Sequence, residues 1–330
     1  MDVAKVAGVD LSTVSRLLRD DRAASYRPET RARVIAAAEE LGYRVNAQAR
    51  ALRLGRQDSI AMLVPDLDNF GFTAVLRGVQ EACEEAGVTL LISEIGSSAP
   101  ERIDRLAALA GRVDGVLVAH AESSDTALQA WLDDIRLPSV FVQRGIPGAS
   151  ASVLFDEENN AAAMVDHLVG LGHRDIAHVS GALSTDTAQR RKVGFDAALA
   201  AHGLSLGRGR RADGGWSIEG GHAAAATLIS GRRRPTALAV DSLVQAIGAL
   251  SALHEKGLSI PDDVSVIAID EHPLAAHTTP PLTTVYLDQR ELGRQAATAL
   301  LDWVDDTPAH DVIVASPSDI IDRGSTAALA

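Results

Sequence analysis

The chain has 330 residues, 46% of them hydrophobic, with a mean hydropathy near zero, which suits a soluble protein of two or three units with real cores. A single cysteine, Cys83, excludes an internal disulfide, and the opening "MDVAKVAGVD" has no apolar leader segment; with no run of eighteen apolar residues later, a cytoplasmic protein without membrane insertion is expected. The net charge of −13 is uneven: residues 1–57 hold eleven Lys and Arg against seven Asp and Glu, whereas the remainder holds twenty against thirty-seven, so an acidic body carries a basic head.

The head reads as three short helices. In "DVAKVAGVDLSTVSRLL", Val3, Val6 and Ala7 recur at helical spacing, Gly8 allows a sharp turn, and Val14, Leu17 and Leu18 form a second apolar stripe. Burying that stripe leaves Ser12, Ser15, Arg16 and Arg19 on the opposite side, a face of hydroxyls and guanidinium forks. Such a face suits a major groove, where Arg donates two bonds to guanine and Ser or Thr reaches bases or phosphates. A third helix starts near Pro28, with Val34, Ala38 and Leu41 inward and Gly42 as its stop. Then comes "NAQARALRLGR", residues 46–56, which has no apolar stripe wide enough for a core and is too short to be a stable helix in water.

"DVAKVAGVDLSTVSRLL" followed by "PETRARVIAAAEELGYRVNAQARALRLGR" closely resembles the DNA-binding head and hinge of the lactose-repressor (LacI/GalR) family of bacterial transcription regulators. The resemblance implies a helix-turn-helix head over 1–45, with Leu11 and Ser12 at base-reading positions, Arg16 beside them, and Thr13 and Ser15 nearer the backbone. It also implies a hinge over 46–57 that becomes helical in the minor groove, paired with its twin across a homodimer. There Asn46 starts the helix, Ala49 allows close approach, Arg50, Arg53 and Arg56 reach phosphates, and Leu52 wedges between base pairs. The partner would be a near-palindromic double-stranded operator. Helix 1 follows Met1 directly, where the family has a capping Ser or Thr, so either the helix is uncapped or the frame starts upstream.

From Ser59, short apolar runs such as "IAMLV", "TLLIS", "GVLVA" and "PSVFV" alternate with amphipathic stretches, and the rhythm restarts after "SVLFDEENNAAAMVDHLVG". This is the pattern of parallel sheets with crossover helices, repeated as two doubly wound lobes. Open sheets of this kind bind ligands beyond the carboxyl ends of their strands, where the sequence places Asp66, Gln143, Asp241 and Asp270. The span resembles the periplasmic-binding-protein-like core of the same family, through "RVDGVLV", "LGHRDIAHVSG", "IPDDVSVIAID", "PPLTTV" and "DRGSTA". The resemblance implies a core over 58–330 with one lobe of about 58–155 and 285–315 and the other of about 156–283 and 317–330. It further implies that Arg191 grips the effector, that Trp216 stacks on it, and that Phe72 is the aromatic remaining where many members read "NPFF" and this chain reads "NFGF". Gln143 stands in place of a frequent Asp, and the spacing after "ALAV" leaves the choice between Asp241 and Ser242 open. A small polar effector, a sugar or sugar derivative, is the implied ligand.

Ten histidines invite a metal or catalytic reading, yet no His-x-x-x-His pair, Cys-rich ligand spacing, phosphate loop or G-x-S-x-G elbow occurs. No catalytic residue, metal or cofactor is expected. The competing classes are a sugar-binding protein of the transport type, which should carry a secretory leader and no basic head, and a nucleotide-using enzyme of related topology, which should display a phosphate loop or an acid/base pair. The expectation is therefore a regulator, with repression as the default.

Overall fold

Short apolar stripes assemble the N-terminal helices. The computed structural model describes residues 2–17, 26–42, 56–67, 69–96, 99–119, 121–231 and 233–329, and the chain divides into two units, 1–57 and 58–330. In the first, α1 (Asp2–Ala7), α2 (Leu11–Leu17) and α3 (Pro28–Glu40) bury Val3, Ala7, Val14, Leu17, Val34, Ala37 and Ala38 together. Gly8, at φ +63°, turns the chain between α1 and α2 in a region where a Cβ costs about 1–2 kcal/mol. Two residues expected inside are outside: Val6 is 52% exposed and Leu41 44%. The six residues of α1 offer a stripe wide enough only for Val3 and Ala7, at i and i+4. Leu41 is the C-cap residue, where the chain has left the helical path, and Ala37 takes the inner position. Arg19 and the hinge residues Asn46, Ala49, Arg50, Leu52 and Arg53 lie outside the described residues.

The second unit holds two six-stranded sheets. Strands β1 (Ser59–Val64), β2 (Thr89–Glu94), β3 (Gly115–Val118), β4 (Ser139–Val142), β5 (Ser152–Phe155) and β11 (Val312–Val314) form the first, in the order β11-β5-β4-β3-β1-β2. Strands β6 (Ile176–Ser180), β7 (Arg211–Asp213), β8 (Ala237–Val240), β9 (Ser265–Ile269), β10 (Thr283–Val285) and β12 (Ile320–Ile321) form the second, in the order β12-β10-β9-β8-β6-β7. Pairing is parallel throughout, except between β10 and β12. Parallel neighbours need crossovers, supplied by α4 (Thr73–Ala86), α5 (Ala99–Leu109), α6 (Thr126–Asp134), α7 (Glu157–Gly170), α8 (Asp186–Ala201), α9 (Ile218–Ile229), α10 (Leu243–Glu255) and α11 (Gln289–Val304). Helices on both faces bury every residue of β1, β3, β4, β6, β8 and β9, which is why these strands read as mostly apolar runs, with His178 the exception inside β6. The edge strand β2 instead exposes Leu91 and Ile92.

The chain leaves the first sheet after Phe155, leaves the second after Val285, and returns to it after Val314. Three crossings let α11, which follows a strand of the second lobe, pack on α4 and on β3, β4 and β5 of the first. The α4–α11 contact is close enough that neither helix has room for a side chain at the crossing. A Cβ on Gly78 would lie 1.9 Å from the Arg290 carbonyl oxygen, and one on Gly293 2.0 Å from that of Val75.

Gly78→Ala and Gly293→Ala should therefore each push the two helices apart and lower stability by roughly 1–3 kcal/mol, measured by urea unfolding of the full chain. Gly170→Ala on α7, where a Cβ meets nothing within 4 Å, should be neutral or slightly stabilising. Equal losses in all three variants would remove the close-approach explanation.

Candidate functional site

On the N-terminal unit, α2 presents Leu11, 62% exposed, together with exposed Ser12 and Arg16, while Val14 and Leu17 face the core. Asp10 precedes the helix and acts as its N-cap: its carboxylate accepts from the Thr13 backbone N–H at 2.7 Å and from the hydroxyls of Ser12 and Thr13. Those bonds, the Ser12 hydroxyl first, hold Asp10 down at about 2, well below an ordinary Asp. A face that looks free of carboxylate in the sequence thus has one at its rim, engaging two of the hydroxyls expected to reach DNA. The side chain of Ser15 lies outside the described residues.

In the second unit, the loops after the strands of the two lobes meet around a cavity of about 40 Å³, room for roughly three waters. The first lobe contributes Asn69, Gly71 and Phe72 after β1 and Gln143 with Arg144 after β4. The second contributes Thr187 and Arg191 from α8, Trp216 ahead of α9, Ser242 and Val244 at the start of α10, and Asp270 after β9. Of the residues singled out in the sequence, Phe72, Gln143, Arg191, Trp216 and Asp270 come together here. Gln143 and Asp270, each one residue past a strand, adopt φ of +68° and +82°. A left-handed backbone costs a non-glycine residue about 1–3 kcal/mol and persists only where the surroundings impose it.

Arg191 is the centre of the site. It is 1% exposed, and its Nε and Nη2 donate to the two oxygens of Glu157, at 2.7 and 3.1 Å, in a bidentate pair with a carboxylate that is fully buried. Nη1 donates to the Asp241 carbonyl, and Nη2 stands 3.9 Å from Asp270 Oδ1. Burial opposes the charge, but Glu157 and Asp270 outweigh it and hold Arg191 above the ordinary guanidinium value. Asp270 goes the other way: burial pushes it up to about 6, against the pull of Arg191, and the neighbouring charge of Glu157 adds to the rise. Gln289 donates to its Oδ1 at 2.9 Å.

Two expected residues are not brought to the cavity. Asp66 is exposed on the loop after β1 and lies outside the lining. Asp241 is fully buried behind it, accepting from His178 Nε2 at 2.7 Å and from the Gly181 backbone N–H at 2.8 Å. Ser242 lines the cavity instead, as the N-cap of α10: its hydroxyl accepts from the Gln245 N–H and donates to Gln245 Oε1. The Ser-x-x-Gln spacing that marks this N-cap is legible in the sequence. Arg144, Glu157 and Thr187 were missed. Arg144 directly follows Gln143 at a strand end, so a wider reading of that position would have found it; Glu157 carries no such mark.

Hydrogen bonds already join the lobes on one side of the cavity. Thr187 Oγ1 donates to the Gln143 carbonyl at 2.8 Å, the Ser123 N–H to the Ser184 carbonyl at 2.8 Å, and the Gly145 N–H to Asp186 Oδ2 at 3.3 Å. On the other side Phe70 of the first lobe packs on the α9–α10 core of the second and meets the His272 ring at 5.1 Å. No group of three or more His, Cys, Asp or Glu side chains that could hold a metal occurs among the described residues, and none of their helices is long and apolar enough to cross a membrane.

The raised value of Asp270 fixes a pH dependence. Between about pH 4 and 6 the folded chain binds more protons at this position than the unfolded chain, so this contribution to stability falls as pH rises. Asp270→Asn, which tolerates the same backbone, should remove that slope. Relative to the wild type, its unfolding free energy should gain on the order of 2 kcal/mol from pH 4 to pH 6.5; a constant difference would place Asp270 at an ordinary value.

Comparison with known proteins gives the same outline. Residues 1–46 match the model of the bacterial regulatory proteins of the lacI family, and residues 165–326 match the periplasmic binding protein-like domain. The chain is 32% identical over 307 residues to the HTH-type transcriptional repressor PurR of Photobacterium profundum, covering 92% of this chain and 91% of that one. It is 33% identical over 306 residues to the protein of the same name from Haemophilus influenzae, covering 92% and 90%. Among solved structures, a LacI family transcriptional regulator from Mycobacterium smegmatis is 34% identical, with a TM-score of 0.77 over 82% of this chain and 99% of that one. The Lac repressor dimer bound to operator and the anti-inducer ONPF is 27% identical, with a TM-score of 0.85 over 99% and 98%. The CelR–cellobiose complex is 28% identical, with a TM-score of 0.76 over 98% of each. The chain belongs to the lacI family of bacterial regulatory proteins.

Proposed function

We propose that this chain is a DNA-binding transcriptional repressor, acting as a homodimer in the cytoplasm on a near-palindromic operator, whose affinity for DNA is switched by a small polar effector bound between the two lobes. The observation that carries the reading is the convergence of Gln143 and Phe72 from one lobe with Arg191, Trp216 and Asp270 from the other, in a chain whose α2 exposes Leu11, Ser12 and Arg16. Arg191 spends three of its five N–H groups on Glu157 and the Asp241 carbonyl. The two that remain, beside the Asp270 carboxylate, make a donor–acceptor edge suited to neighbouring hydroxyls, as on a sugar. The relatives support this choice: one solved neighbour holds cellobiose, and another is a dimer on its operator. A dimer also suits the chain itself, because one three-helix head buries too little DNA for tight specific binding, and β2 offers an edge with Leu91 and Ile92 exposed. Nothing in this role calls for catalysis, a metal or a cofactor.

The effector works by differential affinity. A ligand that spans the cavity favours one lobe arrangement, and the hinge over 46–57, with Asn46, Ala49, Arg50 and Leu52 against DNA, forms in only one of the arrangements available to the dimer. Base reading belongs to Leu11, Ser12 and Arg16, with Thr13, Ser15 and Arg19 nearer the phosphates.

A gel shift with the DNA upstream of the chain's own gene tests the reading directly: retardation should weaken steeply with salt, as counterion release requires. Leu52→Ala should lower operator affinity about tenfold or more while leaving the core's melting temperature unchanged, since a wedge acts only on bent DNA; equal affinity removes the wedge. For the effector site, Arg191→Ala would strand the Glu157 carboxylate in the interior and destabilise the fold, so Arg191→Lys is the informative variant. It keeps the charge and loses the fork. Effector-dependent change in DNA retention should fall by about tenfold or more with basal DNA binding intact, and a normal response would clear Arg191 of the role.

A further inference from the structure

One carboxylate of the cavity reaches beyond its own lobe. The Oδ1 of Asp270, one residue past β9, accepts from Gln289 Nε2 at 2.9 Å. Gln289 is the first residue of α11, the helix that packs on α4 and on β3, β4 and β5 of the first lobe. The bond therefore crosses from the second lobe to the first at the cavity itself. Gln289 is 4% exposed, so its amide is nearly out of water. Nε2 is satisfied, but Oε1 is buried and meets no donor among the described residues. A buried amide oxygen without a partner is costly, and native interiors rarely leave one so.

A carboxyl group supplies the missing donor when it carries a proton. The oxygen and nitrogen of a primary amide are spaced much like the two oxygens of a carboxyl group, so an acid beside an amide closes a ring of two hydrogen bonds. Ionised, Asp270 can only accept, and one bond remains. We propose that Asp270 and Gln289 form a proton-operated link between the lobes, held by two hydrogen bonds when the Asp270 carboxyl group is protonated and by one when it is ionised. Gln289 is then a positioning residue for the effector site, and this inference rests on the effector reading above. The surroundings suit the role. Burial pushes Asp270 up to about 6; Arg191 on α8 opposes the rise, Glu157 on α7 and Asp241 after β8 add to it, and the Nε2 bond by itself favours the ionised form. Glu271 and His272, next in the chain, turn to Arg323 and to the Phe70 ring. Asp288, ahead of Gln289, caps α11, and Arg144 faces the same cavity from the first lobe, over the Trp216 ring. An effector hydroxyl that donates to Asp270 requires the carboxylate, so binding expels the proton and removes the second bond to α11. Proton and effector thus act on the link in opposite directions, and effector affinity weakens as pH falls through this range.

Two measurements test the link without an effector. The first follows the Asp270 carboxyl carbon by NMR in the full chain, its signal identified by its loss in Asp270→Asn. Gln289→Met removes both polar amide atoms at similar volume and should lower the midpoint by about one pH unit, a tenfold fall in proton affinity. A midpoint that rises would mean that Gln289 serves only the carboxylate, and an unchanged one that it serves neither form; either overturns the proposal. The second compares the wild type with Asp270→Asn in affinity for the chain's own upstream DNA at fixed ionic strength, because the amide of that variant can pair with Gln289 through two bonds at every pH. The ratio of affinities should stay near one at pH 5 and depart from it by about fivefold or more at pH 7.5. Residues 1–57 contain no histidine, so titration of the head is slight in this range and cancels in the ratio. A constant ratio overturns the proposal, and this measurement stands even if Gln289→Met does not fold. Failure of the wider reading looks different: no DNA is retarded at any pH, while the NMR midpoint still reports the pairing.

Discussion

One ion pair decides what the cleft can be. Arg191 and Glu157 face each other at 1% and 0% exposure, the guanidinium on α8 and the carboxylate in the first turn of α7. Desolvating both charges costs several kcal/mol each, and the bidentate geometry together with the Asp241 carbonyl offsets it. Once that cost is met, the rest of the second lobe's wall follows. Asp270 is close enough to Arg191 to feel it yet too deep to ionise easily, so burial holds it up at about 6. Asp241 turns its carboxylate to His178, which is stacked on Phe195 at 4.2 Å and accepts from Arg211 at Nδ1, and its backbone carbonyl to Arg191. The same carboxylate receives the Gly181 N–H and so sets the surface on which Trp216 lies. Polar residues three layers deep are therefore placed by one pair.

The parts of this arrangement legible in the sequence are those governed by local rules. Strands β1, β4, β8 and β9 are short apolar runs with a polar residue just beyond, and that pattern found Gln143 and Asp270 because a strand end in a doubly wound lobe must face the crevice. It found Asp241 for the same reason and misjudged its direction, since the alternation of a strand does not say whether the next side chain continues outward or folds back onto a histidine from β6. Glu157 shows the limit more clearly. It sits one residue after the Asp156 N-cap, where an acidic side chain is ordinary for a helix start, so its sequence context points to the helix dipole. Only the third dimension, in which α8 lies against α7, makes it the partner of Arg191. The head tells a similar story: Val14 and Leu17 were readable as core from spacing, whereas the engagement of Ser12 and Thr13 by Asp10 depends on rotamers that spacing does not encode.

The contacts that join the lobes set the energetic scale for switching. Hydrogen bonds from α8 and its preceding loop reach Gln143, Gly145, Ser123 and Phe155, each with a net value of about 0.5–1.5 kcal/mol. Phe70 adds an apolar contact on the opposite side of the cavity. Contacts of this size are on the scale at which a ligand's differential affinity, about 5 kcal/mol for a full shift, can move a population between arrangements. A much stronger clasp would make the lobes deaf to any effector, and a much weaker one would leave no defined unliganded arrangement.

That balance also explains why Gln143 matters beyond its side chain. Its left-handed backbone aims the carbonyl at Thr187 while the side chain lines the cavity, so one residue belongs to both the clasp and the binding wall. Any molecule that displaces the Gln143 side chain acts on a backbone already held at a cost of about 1–3 kcal/mol. Arg144 extends the linkage by one residue, since its ring contact with Trp216 is itself a bridge between lobes. The same two adjacent residues therefore line the cavity and join the lobes. On the function proposed above, occupation of the cavity would act directly on residues that also join the lobes, with no intervening pathway of side chains needed.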